Sequence, residues 1–338
     1  MNNTVLNKLT PIALAITVMT VSTPSRAELA ERTGFSGAIT VHAGYGSSDS
    51  QMNPTDDNQV TNSLDGKGKK ESGAVFFPIF RFNYTLASNQ TQFYIGASEN
   101  KVVEGDFKTE FGVVQDFGSF GIVTVGYAPF TPFAKDETWS DPFVTDAKRQ
   151  KTDQDTQAFR LRVDELAGLP FSVEYGYGQR EVDKERSGQA LGLTAAERAR
   201  LNRDGDFHGL TLESVLPVGP DVVFLPSFQY IRGDMEGEAY SFDSYEFGGT
   251  VMGSFLDVHS VSATVSAGSR DYDASHPVFG KKREDKMYGI FATYSYDRPF
   301  GWSDTAFIST AGYSSTTSNI KFYESQEYMV SVGMAYTF

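Results

Sequence analysis

Read at alternate positions, the C-terminal segment 327–338 separates into two faces. Tyr328, Val330, Val332, Met334, Tyr336 and Phe338 are large and apolar; Met329, Ser331, Gly333, Ala335 and Thr337 are mostly small or polar. Successive side chains of a strand point to opposite faces, so the segment predicts one face for lipid and one for a watery interior. The first strand repeats this: Phe35, Gly37, Ile39, Val41, Ala43 and Tyr45 oppose Ser36, Ala38, Thr40, His42 and Gly44. Residues 47–72 lack any apolar period and predict a long polar loop. Beyond it Phe76, Phe80, Phe82, Tyr84 and Leu86 alternate with Phe77, Ile79, Arg81, Asn83 and Thr85.

Carried along the chain, the pattern predicts fourteen strands, near 34–46, 73–87, 91–103, 108–117, 121–129, 154–166, 171–182, 206–217, 221–233, 243–256, 258–271, 287–298, 304–315 and 324–338. Such boundaries err by several residues, which leaves twelve or sixteen strands open. Short turns (88–90, 118–120, 167–170, 218–220, 299–303) alternate with long polar loops (47–72, 130–153, 183–205, 272–286). A β-sandwich has no reason to sort its loops by alternating length. The expected fold is therefore all-β: a transmembrane antiparallel β-barrel with short periplasmic turns and long extracellular loops. Tyrosines near the expected strand ends, among them Tyr45, Tyr230, Tyr245, Tyr288 and Tyr313, suit the headgroup boundary. Within loop 183–205, Thr194-Ala-Ala-Glu197 is a capping-box pattern and predicts one short helix.

The N-terminus reads as an address. Lys8 precedes an apolar run from Ile12 to Val21, and Ser25-Arg26-Ala27 offers small residues at a cleavage site. The run is shorter than the roughly 20 residues of a spanning helix. A cleaved signal peptide, 1–27, and one domain, 28–338, are expected. Mean hydropathy is −0.32, which a barrel tolerates because only alternate residues meet lipid. The net charge is −14; removing Lys8 and Arg26 gives −14 − 2 = −16 for the mature chain. That acidity argues against a nucleic-acid partner. The absence of cysteine excludes disulfides and thiolate metal sites, and no cofactor is implied.

The signal segment, the strand meander and the Tyr336-Thr-Phe338 ending resemble Gram-negative outer-membrane barrel proteins. Tyr336 and Phe338 match the C-terminal insertion signal that barrel-assembly machinery reads in such proteins. More narrowly, Phe35-Ser-Gly-Ala-Ile and the overall length are similar to an uncharacterised family of exported barrel proteins of marine bacteria. The resemblance implies an outer-membrane location, with lipid and lipopolysaccharide as surroundings. It implies no substrate.

An enzyme is not expected. The four histidines are His42, His208, His259 and His276. None lies in the His-x-Ser-Asn-Gly pattern of outer-membrane phospholipases, and no Gly-x-Ser-x-Gly elbow occurs. Where alternation is clean, Arg81, Arg160, Arg162, Asp164, Glu174, Glu213 and Glu246 fall on the inner face, where charge meets water rather than lipid. These seven are the expected pore-lining residues, the arginines forming a basic wall opposite or beside the acids, with consequences for ion selectivity. Paired across strands, the same charges would instead plug a narrow lumen; a fourteen-stranded diameter favours a water path. Loop 130–153, rich in Pro and Phe, reads either as a constriction folded into the mouth or as a lid packed on its neighbours. The expected function is a porin-like channel for passive diffusion of small hydrophilic solutes. The alternative is a non-conducting structural or surface-binding barrel.

Overall fold

The computed structural model describes residues 29, 33–98, 109–129 and 136–338. The expected signal peptide and residues 130–135 of the Pro- and Phe-rich loop lie outside them. The strands are Gly34–Ser48 (β1), Glu71–Thr85 (β2), Thr91–Ala97 (β3), Thr109–Asp116 (β4), Ile122–Ala128 (β5), Asp136–Trp139 (β6), Lys151–Asp164 (β7) and Phe171–Val182 (β8). They continue as Gly205–Ser214 (β9), Leu216–Pro217 (β10), Val222–Met235 (β11), Phe242–Phe255 (β12), His259–His276 (β13), Lys281–Asp297 (β14), Thr305–Ser318 (β15) and Ser325–Thr337 (β16). Neighbours pair antiparallel throughout. β6 prolongs the β5 position alongside the start of β7, and β10 continues β9 beyond Val215 along β11. Fourteen staves therefore form one ring.

The ring closes between its first and last strands, from Ala38 opposite Thr337 to Ser48 opposite Glu327. Gly37 N donates to Phe338 O at 2.9 Å, and Phe338 N to Gly37 O at 3.0 Å. Fourteen strands about 4.8 Å apart and tilted about 40° give a barrel about 28 Å across between backbones.

Outward positions carry the large apolar side chains. Phe35, Phe76, Phe247, Val265 and Ile290 are all exposed, an arrangement that water would penalise and lipid would not. On β1 the band runs from Phe35 to Tyr45. Ten residues at about 3.3 Å rise and about 40° tilt span about 25 Å, the height of a lipid-facing band. Tyr45, Tyr245, Tyr288 and Tyr313 edge it at one end, and Phe255, Trp302 and Phe338 at the other. Tyr336 and Phe338 both face outward, their rings 6.1 Å apart.

The expected helix forms over Ala195–Ala199. Thr194 Oγ1 accepts from Glu197 N at 3.3 Å, and Glu197 Oε2 accepts from Thr194 N at 2.8 Å. One expectation is corrected. Segment 272–286 is not a long loop: β13 runs to His276, β14 starts at Lys281, and a four-residue turn joins them. Here the hairpin stands above the tyrosine edge, so both faces are polar and the apolar period vanishes while strand pairing continues.

Candidate functional site: the barrel lumen and its outer cap

Alternation places Arg81, Arg160, Arg162, Asp164, Glu174, Glu213 and Glu246 on the inner face, as the sequence pattern has them. Six of these belong to a connected group on the adjoining strands β2, β7, β8 and β9, joined by Tyr94 of β3 and Glu110 of β4. Arg160 is its centre. Its Nε donates to Glu110 Oε1 and Oε2 at 2.9 and 3.1 Å, and its Nη1 to Glu174 Oε2 at 3.2 Å. Its Nη2 lies 3.3 Å from Tyr94 OH, which itself donates to Glu110. Arg162 Nε donates to Asp164 Oδ1 at 2.8 Å and Nη1 to Glu213 Oε2 at 2.6 Å. The Arg81 guanidinium stacks 4.1 Å over the Tyr94 ring.

Three guanidiniums thus stand beside four carboxylates on one wall, not across the lumen from them. Glu246 stands on β12, two staves beyond β9. Arg160 is 3 % exposed, a depth at which an ion survives only when paired and hydrogen-bonded. Sequence reasoning missed Glu110 and Tyr94, though the same alternation marks both as inward. Two glycines provide their space. A Cβ on Gly112 would lie 2.3 Å from the Tyr94 ring, and one on Gly126 2.7 Å from the Glu110 carboxyl.

The opposite wall has different chemistry. Its inward residues include Thr250 on β12, Ser262, Thr264 and Ser266 on β13, Gly289 and Thr293 on β14, and Gly312 and Ser314 on β15. Thr250 and Thr264 share a 2.8 Å hydroxyl bond. Elsewhere on the inner face His42 stacks on Phe77, and its Nδ1 lies 3.2 Å from Ser331 Oγ. At 1 % exposure His42 is out of a solute's reach.

Connections at the tyrosine-edged end pack into a cap. Arg149 is fully buried: its Nη1 donates to Gln51 O at 2.9 Å and Pro142 O at 3.3 Å, its Nη2 donates to Asn58 O, and it stacks on Trp139. Burial pushes its pKa down to about 10. Phe143 packs against Phe279 of the β13–β14 turn and Phe322 before β16, with ring centroids 5.9 and 5.3 Å away. The β5–β7 and β13–β14 connections lie six staves apart in a ring of fourteen, so segment 140–150 crosses the mouth. Of the two readings of loop 130–153, its described part is a lid packed on its neighbours. Beneath it Phe207, Ile231, Phe242 and Tyr272 form an apolar shelf. His276 Nε2 meets Tyr323 OH at 2.8 Å. Burial, then Arg283 and Arg200, hold the His276 pKa down at about 3.

A family model described as "Protein of unknown function (DUF2860)" matches residues 34–337, the entire ring. The chain belongs to this family. Among curated proteins, nothing matches this DUF2860 chain. Solved structures similar to it include the outer-membrane channel DcaP of Acinetobacter baumannii, at 10 % identity and TM-score 0.49, covering 90 % of this chain and 96 % of that one. The anion-selective porin from Comamonas acidovorans is 13 % identical with TM-score 0.41, covering 90 % and 98 %. In-vitro folded OmpT of Vibrio cholerae is 11 % identical with TM-score 0.42, covering 90 % and 96 %.

Proposed function

We propose that this DUF2860 chain is a non-enzymatic outer-membrane channel for passive diffusion of small hydrophilic solutes in a Gram-negative bacterium. The reading rests on one observation: a closed fourteen-stave ring is apolar outside and polar inside, with hydroxyl-bearing inner side chains that reach solvent. A soluble protein gains nothing from that inversion. Export by residues 1–27, a marine source, insertion guided by Tyr336 and Phe338, and contact with lipopolysaccharide at the outer rim are parts of the same proposal. Arg81, Arg160, Arg162, Asp164, Glu174 and Glu213 serve as the charged side of the lumen, with Glu246 as an acid on the facing side.

The test is conductance of refolded residues 28–338 in a planar bilayer. Discrete openings are expected. In Arg162→Ala, loss of the guanidinium beside Asp164 and Glu213 leaves excess negative charge, so the reversal potential should shift toward cation preference. A folded barrel that never conducts would refute the channel. The cap favours a second reading, a closed surface barrel, and that result would select it.

A further inference from the structure

The two walls of the lumen differ in how far solvent reaches them. An inner-face side chain is screened from the outside by the sheet itself, so any exposure away from the rims comes from the lumen. On the charged side most inner residues from β4 to β9 are covered, with Thr124 and Thr211 each 5 % exposed, Thr156 1 % and Glu110 1 %, while Arg81, Arg162 and Glu213 stay partly open. Long side chains reach across neighbouring strands there and fill the space. On the other side Thr250, Ser262, Thr264, Ser266, Gly289 and Thr293 are all half-buried, because Ser, Thr and Gly are short, although Phe291 of β14 and Met252 of β12 also point inward among them.

We infer that the passage runs off-centre, along the inner wall of β12–β14, and that it takes small neutral polyhydroxylated solutes. The inference rests on the channel reading. Hydroxyls both donate and accept, so they exchange hydrogen bonds with a polyol as readily as with water, at little net cost. An ion is different: shedding its hydration is far more costly than shedding that of a hydroxyl, and the hydroxyls themselves carry no counter-charge. The inner charges of this wall, Glu246 and Arg270, stand beyond Ser266 toward its outer end. Across the lumen the Arg160 and Arg162 guanidiniums are engaged by Glu110, Glu174, Asp164 and Glu213, so their charge is largely matched before an anion meets it. Thr264, Ser266 and Thr293 therefore set the width and chemistry of the path, while the charged side is a packed buttress.

The chain contains no cysteine, which allows a direct test with single substitutions in the full-length mature protein. Thr264→Cys, Ser266→Cys and Thr293→Cys should react with a small hydrophilic methanethiosulfonate on the order of tenfold faster than Thr124→Cys, Thr156→Cys and Thr211→Cys, because thiol modification follows access. Heat-modifiable migration checks that each variant is folded. Equal or reversed rates would overturn the off-centre path. In proteoliposome swelling, arabinose should enter faster than gluconate, and Ser266→Trp should slow it. Gluconate entering as fast as arabinose would overturn the solute class. Selective labelling with no flux of any solute would overturn the channel reading, and the passage with it, leaving a blind chamber.

Discussion

Arg160 joins two carboxylates, Glu110 and Glu174, and a tyrosine hydroxyl in a space its neighbours seal. Removing one member of such a group leaves uncompensated charge, and breaking a buried pair costs about 3–5 kcal/mol. Arg160→Ala should therefore lower the urea midpoint of the refolded barrel, with a loss of unfolding free energy of that order. Arg160→Ala with Glu110→Gln should recover part of it, because the second change removes a stranded carboxylate. Equal midpoints in the single variant and the parent would show that the group is solvated and contributes little. Glycines 112 and 126 belong to the same unit, since any side chain there meets Tyr94 or Glu110. Charged alternation along β7 and β8 made Arg160, Arg162 and Glu174 readable in the sequence. Asp164 and Glu213 were readable in the same way, but Tyr94 and Glu110 were not joined to them, because which inward residues meet across four strands depends on stagger, and stagger is fixed only by the closed ring.

Among the elements, the outer connections carry most of the densely packed core. Phe143, Leu201 and Phe322 are fully buried in a cap that spans the mouth. Truncating a buried Phe costs about 3–5 kcal/mol, so Phe143→Ala should loosen the cap without unfolding the ring. The expected readouts are faster trypsin cleavage in segment 140–150 and longer channel openings. Acid should do the same through His276. Its pKa in the closed cap, about 3, lies below the ordinary 6.5, so a released His276 binds a proton that the packed one refuses. The contribution of the neutral ring is full above about pH 6.5, and closure then weakens by up to about 1.4 kcal/mol per pH unit down to about pH 3. In His276→Gln this part of the pH dependence of cleavage should vanish. The Pro and Phe content of loop 130–153 made a packed lid one of two readings, but what the lid packs against was not legible. The loops are polar on average, and the few apolar residues that meet, Phe143, Phe279 and Phe322, are scattered over 180 positions. The capping box at Thr194 was legible because it is decided within four residues.

For the whole molecule, stave number, alternating connection length and the outward apolar band all follow from a two-residue period. That period is local and strong on β1, β2 and β16, so these strands were placed within about two residues at most of their ends. It fails on the upper part of β13 and β14, which extends beyond the apolar outer band and is polar on both faces. The two-sided character of the lumen was hidden for a further reason: the sequence shows which residues point inward, not which of them share a wall.

The seam between β1 and β16 has a consequence in time rather than in space. Residue 37 bonds residue 338, so the first and last strands of the ring must meet before any ring exists. Until then every partial sheet keeps two raw edges, open to any passing strand, and the pairing that removes them is the most distant one in the chain. Long-range closure of this kind is slow. Such a chain gains little by folding as it emerges and has to be held open until its last strand arrives. A protein lacking residues 325–338 should accordingly aggregate rather than settle as a smaller barrel, which light scattering during refolding would reveal.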